Sequence, residues 1–328
     1  MVRRRSRQAS IPRGMIEVAE HLKGRDFTRV GSWNTEELKT VLDLADELKS
    51  LRQQREPHDL LPGRTLGMIF QKPSTRTRVS FEVGITELGG YGLYLAAGDL
   101  QLGRGETIKD TANVLERYLD AIAIRTFAQE DVEEFAEHAD IPVINGLTDY
   151  AHPCQALADL MTVRERQGRL SGVRLAYLGD GNNVCISLMV GAARFGMRFV
   201  AATPKGYEPD AVAVAAARRA AVQMGGTVEL VRDPKEAARE ADVLYTDVWT
   251  SMGQEEEAKR RHKDLADYAI TDELVARASP DCIVLHCLPA HYGEEITEEV
   301  LYGPHSAVWD QAENRLHSQK ALMALIVR

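Results

Sequence analysis

The sequence predicts an α/β protein of two doubly wound parallel-sheet domains joined by helices. Three observations carry this. Short apolar runs alternate with helical stripes along most of the chain. The alternation pauses at one long helix near residues 152–168 and then restarts. The length, 328 residues, exceeds what one hydrophobic core usually serves.

In chain order, Asn34 precedes a stripe of Leu38, Val41, Leu42, Ala45, Leu48 and Leu51, with Glu37 placed for a capping box. Residues 65–70 read as a buried strand, and 79–88 continue as a helix stopped by Gly89-Gly90. Residues 91–96 are a second strand. A polar, glycine-containing loop, 97–106, leads into a helix with Ile108, Ala112, Leu115 and Leu119 on one face. Strand 121–125 ends in Arg125, and helix 130–139 and strand 142–147 close the first half. After the bridging helix, strands are expected at 173–179, 197–204, 227–231, 242–247 and 282–287, with helices at 183–195, 209–223, 234–241 and 254–268 between them. A terminal helix covers 310–328, with Arg315 at its start. There is no short-period repeat; the halves repeat only an architecture.

Composition excludes several classes. Hydrophobic content of 44% and charged content of 27% belong to a globular chain, and no apolar run reaches bilayer length. A formal net charge of -9 argues against non-specific nucleic-acid binding. Cys154, Cys185, Cys282 and Cys287 are too few and too apolar in their surroundings for a disulfide frame, which suits a cytoplasmic, reducing compartment. Residues 1–20 read as a flexible basic tail. A short transit peptide is the alternative, which the want of an amphipathic apolar face makes the weaker of the two.

The organising stretch is Ser74-Thr-Arg-Thr-Arg78, between a strand and a helix. Ser74, Thr75, Arg76 and Thr77 fall on a first helical turn, where free N–H groups and the helix dipole favour an anion. Arg76 and Arg78 add planar forks suited to phosphate. Three hydroxyls and two arginines in five residues exceed what a cap needs. No Walker A ending is present. In parallel sheets ligands sit beyond the carboxyl ends of strands, where both this run and Arg125 fall.

This run resembles the carbamoyl-phosphate loop of the aspartate and ornithine carbamoyltransferases. Three more stretches resemble the same family in the same order: His152-Pro-Cys-Gln155, Asp247-Val-Trp-Thr-Ser251-Met252-Gly253 and His286-Cys287-Leu288-Pro289. The resemblance covers roughly residues 21–327. It implies transfer of a carbamoyl group from carbamoyl phosphate to ornithine, giving citrulline and phosphate in arginine metabolism. It also implies two domains. Residues 21–150 would bind carbamoyl phosphate, with the helix 312–328 packing back onto them, and 151–311 would bind ornithine.

On its own, a His three positions from a Gln shares a helix face with it, and both can donate to a carbonyl or ester oxygen. The family wording implies that His152 and Gln155 meet the carbamoyl group, with Arg76, Arg125 and Arg315. Gly179-Asp-Gly-Asn-Asn183 opens a helix as a dinucleotide turn would, but it lacks the third glycine and the downstream acid. A polar capped turn fits it equally well, and the resemblance implies that Asn183 meets the amino acid's carboxylate. A polar residue is expected in place of Ile186. Asp247 at a strand end can hold an ammonium, and the glycine-bounded segment after it can close over a ligand. Its wording resembles the ornithine-selective loop, which adds Ser251 and Met252; an aspartate-selective member would carry basic residues there.

From the residues alone, Cys287 can be a nucleophile, a metal ligand or a passive wall. His152, Cys154, His286, Cys287 and His291 lack zinc-finger spacing. The resemblance implies that Cys287 and Leu288 line the substrate site, Cys287 near Asp247 and the attacking amine. It implies no cofactor and no metal, a homotrimer or a multiple of three, and completion of each site by Gln101 of Leu100-Gln-Leu-Gly103 from a neighbouring copy. Two other classes remain open at this stage, a nucleotide-dependent oxidoreductase and a non-catalytic ligand sensor.

Overall fold

A computed structural model describes residues 20–96, 98, 100, 101, 105–250, 253 and 255–327. These form two compact units. One holds the described residues up to Leu157 together with Arg315 onward, the other Ala158–Asn314. Two helices, Pro153–Gln167 and Val308–Ile326, each run through a division point. The divisions fall at 157/158 and 314/315.

In the first unit, strands β1 (Thr65–Phe70), β2 (Tyr91–Ala96), β3 (Ala121–Arg125) and β4 (Val143–Leu147) form a parallel sheet in the order β2-β1-β3-β4. The chain leaves β1 for one side of the sheet and returns to the other. The crevice between the ends of β1 and β3 is therefore the topological switch point. Helices follow β1, β2 and β3, at Thr75–Glu87, Ile108–Leu115 and Gln129–His138. The helix Thr35–Gln53 opens with the capping box expected for Asn34 and Glu37. Ile69, Ile122, Ile124 and Val143 of the sheet pack against Ala112, Val132 and Phe135 of the helices. Each fully buried aliphatic side chain of this kind contributes ~1.5–3 kcal/mol.

In the second unit, β5 (Arg174–Leu178), β6 (Arg198–Ala202), β7 (Thr227–Val231), β8 (Val243–Thr246) and β9 (Ile283–His286) are parallel in the order β7-β6-β5-β8-β9. Here the switch point lies between the ends of β5 and β8. The central strands are buried on both faces, as Leu175-Ala-Tyr-Leu178 and Val243-Leu-Tyr-Thr246 show. That is why they read as continuous apolar runs rather than alternations.

Several element ends move. The helix expected over 254–268 divides into a 3-10 turn at Glu255–Glu257, a helix at Ala258–Leu265 and a second 3-10 turn at Ala266–Tyr268. The helix expected over 234–241 stops at Ala238. The terminal helix begins at Val308, so Arg315 stands about two turns inside it rather than at its start.

Candidate active site

The first unit gathers one group of polar residues at its switch point. Ser74 caps the helix Thr75–Glu87, accepting from the Thr77 N–H at 3.2 Å. Its hydroxyl also meets Thr77 Oγ1 at 3.0 Å. Thr77 is buried, Arg76 half-buried and Thr75 exposed. Beside this turn, Gln71 N–H donates to the Arg125 carbonyl at 2.8 Å, which ties the end of β1 to the end of β3. Arg315 reaches the same place from the last helix. It donates to Thr77 Oγ1 at 3.3 Å, Gln155 Oε1 at 2.8 Å and Gln319 Oε1 at 2.9 Å.

His152 lies just before the helix Pro153–Gln167 and is buried. Burial pushes its pKa well below the usual imidazole range, and the charges of Arg315, Arg125 and Arg76 push the same way. The ring is therefore neutral at physiological pH, among three guanidinium groups. Ser74, Thr77, Arg76, Arg125, His152, Gln155 and Arg315 thus form one cationic cluster with a neutral imidazole in it. Such a cluster can hold a phosphate and polarise a carbonyl.

Two basic residues of this stretch point elsewhere. Arg78, expected to add a fork for phosphate, instead covers the Tyr94 ring at 3.9 Å and donates to Glu82 at 3.3 Å. Its helical position turns it to the outer face. Lys72 is buried, ion-paired with Asp149 and 4.1 Å from the Phe127 ring centroid. Gln101 is exposed and, among the described residues, makes no hydrogen bond to the cluster. The Cys154 thiol is buried and its pKa is pushed up to about 12 by burial, which leaves it unreactive.

The second unit gathers a different group at its own switch point. Asp247 follows β8 and is buried. Its Oδ2 accepts from Asn182 Nδ2 at 2.7 Å, and its Oδ1 accepts from Cys287 Sγ and the Val248 N–H, both at 2.8 Å. Asn182 also caps the helix Asn183–Arg194, accepting from the N–H groups of Val184 and Cys185. Tyr177 donates to the same oxygen at 3.1 Å. The sequence pointed to Asn183, which is the first residue of that helix and half-buried. Asn182 and Tyr177 were missed. The only signal for Asn182 was the doubling of asparagine, and for Tyr177 there was none. Ile186, where a polar residue was expected, is buried in the helix. Arg261 donates to Asp180 Oδ2 at 2.6 Å and to the Trp249 carbonyl at 3.2 Å, so it fastens the 179–183 turn to the segment after Asp247. Ser251 and Met252 lie outside the described residues.

Gly181 of the 179–183 turn serves the chain's own packing. A Cβ on Gly181 would stand 2.2 Å from the Pro209 nitrogen, and the Gly181 N–H donates to the Tyr207 carbonyl at 2.8 Å. The close approach of the 207–209 backbone thus accounts for Gly181 without a dinucleotide.

Among the described residues of this unit, two side-chain groups have ligand-type atoms within 4.8 Å of one another: Asp247, His286 and Cys287, and His291, Glu294 and Glu295. In the first, His286 has both ring nitrogens in use. Nδ1 accepts the Leu288 N–H at 2.8 Å, and Nε2 meets Glu295 Oε1 at 3.1 Å. It has no free lone pair for a cation. Cys287 and Leu288 sit on the turn after β9, where Leu288 has φ of 60° and the Leu288–Pro289 bond is cis.

Comparison with known proteins agrees with this geometry. The aspartate/ornithine carbamoyltransferase carbamoyl-P binding domain matches residues 25–165, and the Asp/Orn binding domain of the same family matches 171–326. The chain belongs to the aspartate/ornithine carbamoyltransferase family. The ornithine carbamoyltransferase of Thermococcus kodakarensis is 55% identical over 306 residues, covering 93% of this chain and 97% of that protein. Among solved structures, the ornithine carbamoyltransferase from Pyrococcus furiosus has a TM-score of 0.91 at 54% identity, covering 93% of this chain and 98% of that one. An anabolic ornithine carbamoyltransferase from Campylobacter jejuni has a TM-score of 0.86 at 39% identity, covering 91% and 97%. Two parallel-sheet domains of the expected class are therefore the family's fold. Among the described residues, no helix is long and apolar enough to cross a membrane.

Proposed function

We propose that this chain is an ornithine carbamoyltransferase, which moves the carbamoyl group of carbamoyl phosphate to the δ-amine of L-ornithine. The observation that carries this is Asp247, a buried carboxylate held between Asn182 and Cys287 at a strand end. A carboxylate there suits an acceptor with an ammonium group and repels one with a second carboxylate. The names of the relatives support the same acceptor, and those named anabolic support the direction of citrulline formation, in arginine biosynthesis.

In this reading Ser74, Thr75, Arg76 and Thr77 hold the phosphate. Arg76, Arg125, His152, Gln155 and Arg315 surround the carbamoyl oxygen. The neutral amine attacks the carbonyl carbon, and the negative charge gathers on its oxygen. The bond from carbon to the phosphate oxygen then breaks, phosphate leaves with the bonding electrons, the carbonyl re-forms, and the extra proton on nitrogen passes to the departing phosphate. Each donor placed on the oxyanion is worth ~2.7–4 kcal/mol. Phosphate is a good leaving group, so the reaction asks for no cofactor. Asn183, Asp247, Ser251 and Met252 hold ornithine, and Cys287 and Leu288 wall the site.

The same reading makes the protein a homotrimer or a multiple of three in the cytoplasm, with Gln101 serving a neighbouring copy. Exposed Val79, Tyr91, Leu93, Val114 and Tyr118, all in the first unit, support self-association. Light scattering should give a mass of three chains or a multiple; a monomer would remove the role of Gln101.

The deciding experiment is a citrulline assay with carbamoyl phosphate and ornithine, run beside aspartate and putrescine as acceptors. Turnover with ornithine far above the other two is expected. Turnover with aspartate alone, or with no acceptor, overturns the assignment.

A further inference from the structure

We propose that His286 and Glu295 are positioning residues, a buried pair that sets the Cys287–Leu288 turn for the acceptor amine. This rests on the ornithine reading given above. Neither residue is placed against a substrate; both act through the turn.

The arrangement is buried, and its hydrogen bonds fall on one oxygen of Glu295; the other, Oε2, is buried without a hydrogen-bond partner among the described residues, with His291 Nδ1 at 3.8 Å. Both side chains have no exposed surface. His286 Nδ1 accepts from the Leu288 N–H, so the ring proton sits on Nε2, where it donates to Glu295 Oε1. The same carboxylate oxygen accepts from the His291 N–H at 2.7 Å. Burial raises the Glu295 carboxyl, but the lowering contacts, with the His286 and His291 hydrogen bonds the largest of them, outweigh it and hold the group below the usual carboxylate range. The His286 backbone N–H donates to Gln311 Oε1 at 2.9 Å, which fixes the end of β9.

The turn needs such a holder. Leu288 stands in the left-handed region, a conformation that a γ-branched residue adopts only when its surroundings impose it. The imposed element is its own N–H, fixed on the imidazole. With the opposite tautomer, N–H would face N–H and the turn would be pushed away. Glu295 selects the tautomer, His286 holds the amide, and Cys287 then meets Asp247 at 2.8 Å. The line from Glu295 to Asp247 passes through hydrogen bonds and three covalently joined residues.

Three substitutions separate the two hydrogen bonds. His286→Asn keeps an oxygen near the place of Nδ1 and loses Glu295. His286→Gln reaches toward Glu295 and loses the acceptor for Leu288. Glu295→Gln keeps the shape and removes the charge that selects the tautomer. Steady-state kinetics with ornithine should show kcat/KM lower by ~10-fold or more in His286→Gln and Glu295→Gln, the scale of one lost buried hydrogen bond to a charged group. His286→Asn should recover part of that loss. Inhibition by inorganic phosphate, which the reading places on the first unit alone, should change by no more than about 2-fold. Parallel losses for ornithine and phosphate that track the melting temperature would reduce the pair to ordinary core packing. Wild-type kinetics in folded variants would overturn it outright. Nitrogen NMR of the unmodified protein, with labelled histidine, is an independent check that needs no variant. The Nε2–H form of His286 is expected, and the Nδ1–H form overturns the proposal. A wild-type protein with no ornithine turnover would reject the function itself, a result distinct from any of these.

Discussion

Arg315 donates through Nη1 to Gln155 Oε1 at 2.8 Å, joining residues 160 positions apart. The same guanidinium holds Thr77 and Gln319, so it is fixed on three sides before any ligand arrives. A planar fork can do this and an ammonium cannot. Arg315→Lys should keep the charge and lose the geometry. The apparent affinity for carbamoyl phosphate is expected to fall ~10-fold or more, since one or two charged hydrogen bonds of ~1.5–3 kcal/mol each are lost. Titration of the initial rate with carbamoyl phosphate measures this; an unchanged KM would remove Arg315 from the site.

Arg76→Ala should be more severe. Arg76 stands on the first helical turn beside Ser74 and Thr77, and its charge also reaches His152. The substitution removes a phosphate partner and an oxyanion donor together, and a loss of ~4 kcal/mol or more in kcat/KM is expected. Activity within a few-fold of wild type would place the anion somewhere else.

Asp247→Asn turns an acceptor into a mixed group facing the Asn182 amide and the Cys287 thiol. Most of the rate should be lost. In the wild type, the attacking amine must be neutral, and an alkyl ammonium has a pKa near ~10.4 by analogy with lysine. Activity at low ornithine should therefore rise with pH from the neutral to the alkaline range. An acceptor with a lower amine pKa should show the rise at lower pH. A flat profile from pH ~6 to ~9, with chemistry limiting, would count against attack by a free amine.

His152 also links stability to pH. Its native pKa lies well below the usual value because burial, Arg315, Arg125 and Arg76 all disfavour the cation. The unfolded chain takes up a proton near pH ~6.5, and the native ring does not. In that window the unfolded state binds more protons, so stability rises with pH. The contribution is full above ~6.5 and is lost as pH falls toward the depressed native value. Urea midpoints at several pH values between ~7 and ~5 should therefore fall on acidification, and His152→Asn should show a shallower fall. Equal slopes in the two proteins would mean that His152 is not buried neutral.

The sequence by itself determined the strands and most helices, because their apolar periods are local. It also pointed to the loops after parallel strands, where ligands of such sheets sit, as the places to look for chemistry. Ser74, Arg76, His152, Gln155, Asp247 and Cys287 could be named from runs of a few residues. What only the tertiary structure decided are the pairings over long separations. Strand order placed the 71–78 run beside Arg125, and the 179–183 turn beside Asp247, at two switch points. Helix rotation took Arg78 out to Tyr94 while its neighbour Arg76 stayed with the cluster, a choice that two arginines two apart do not announce. Asn182 rather than its twin carries the bond to Asp247, since the capping geometry aims that side chain across the sheet edge. Glu295 lies nine residues from His286, and nothing in its local pattern separates it from a solvated acid. Burial selects it, and burial is a property of the folded chain.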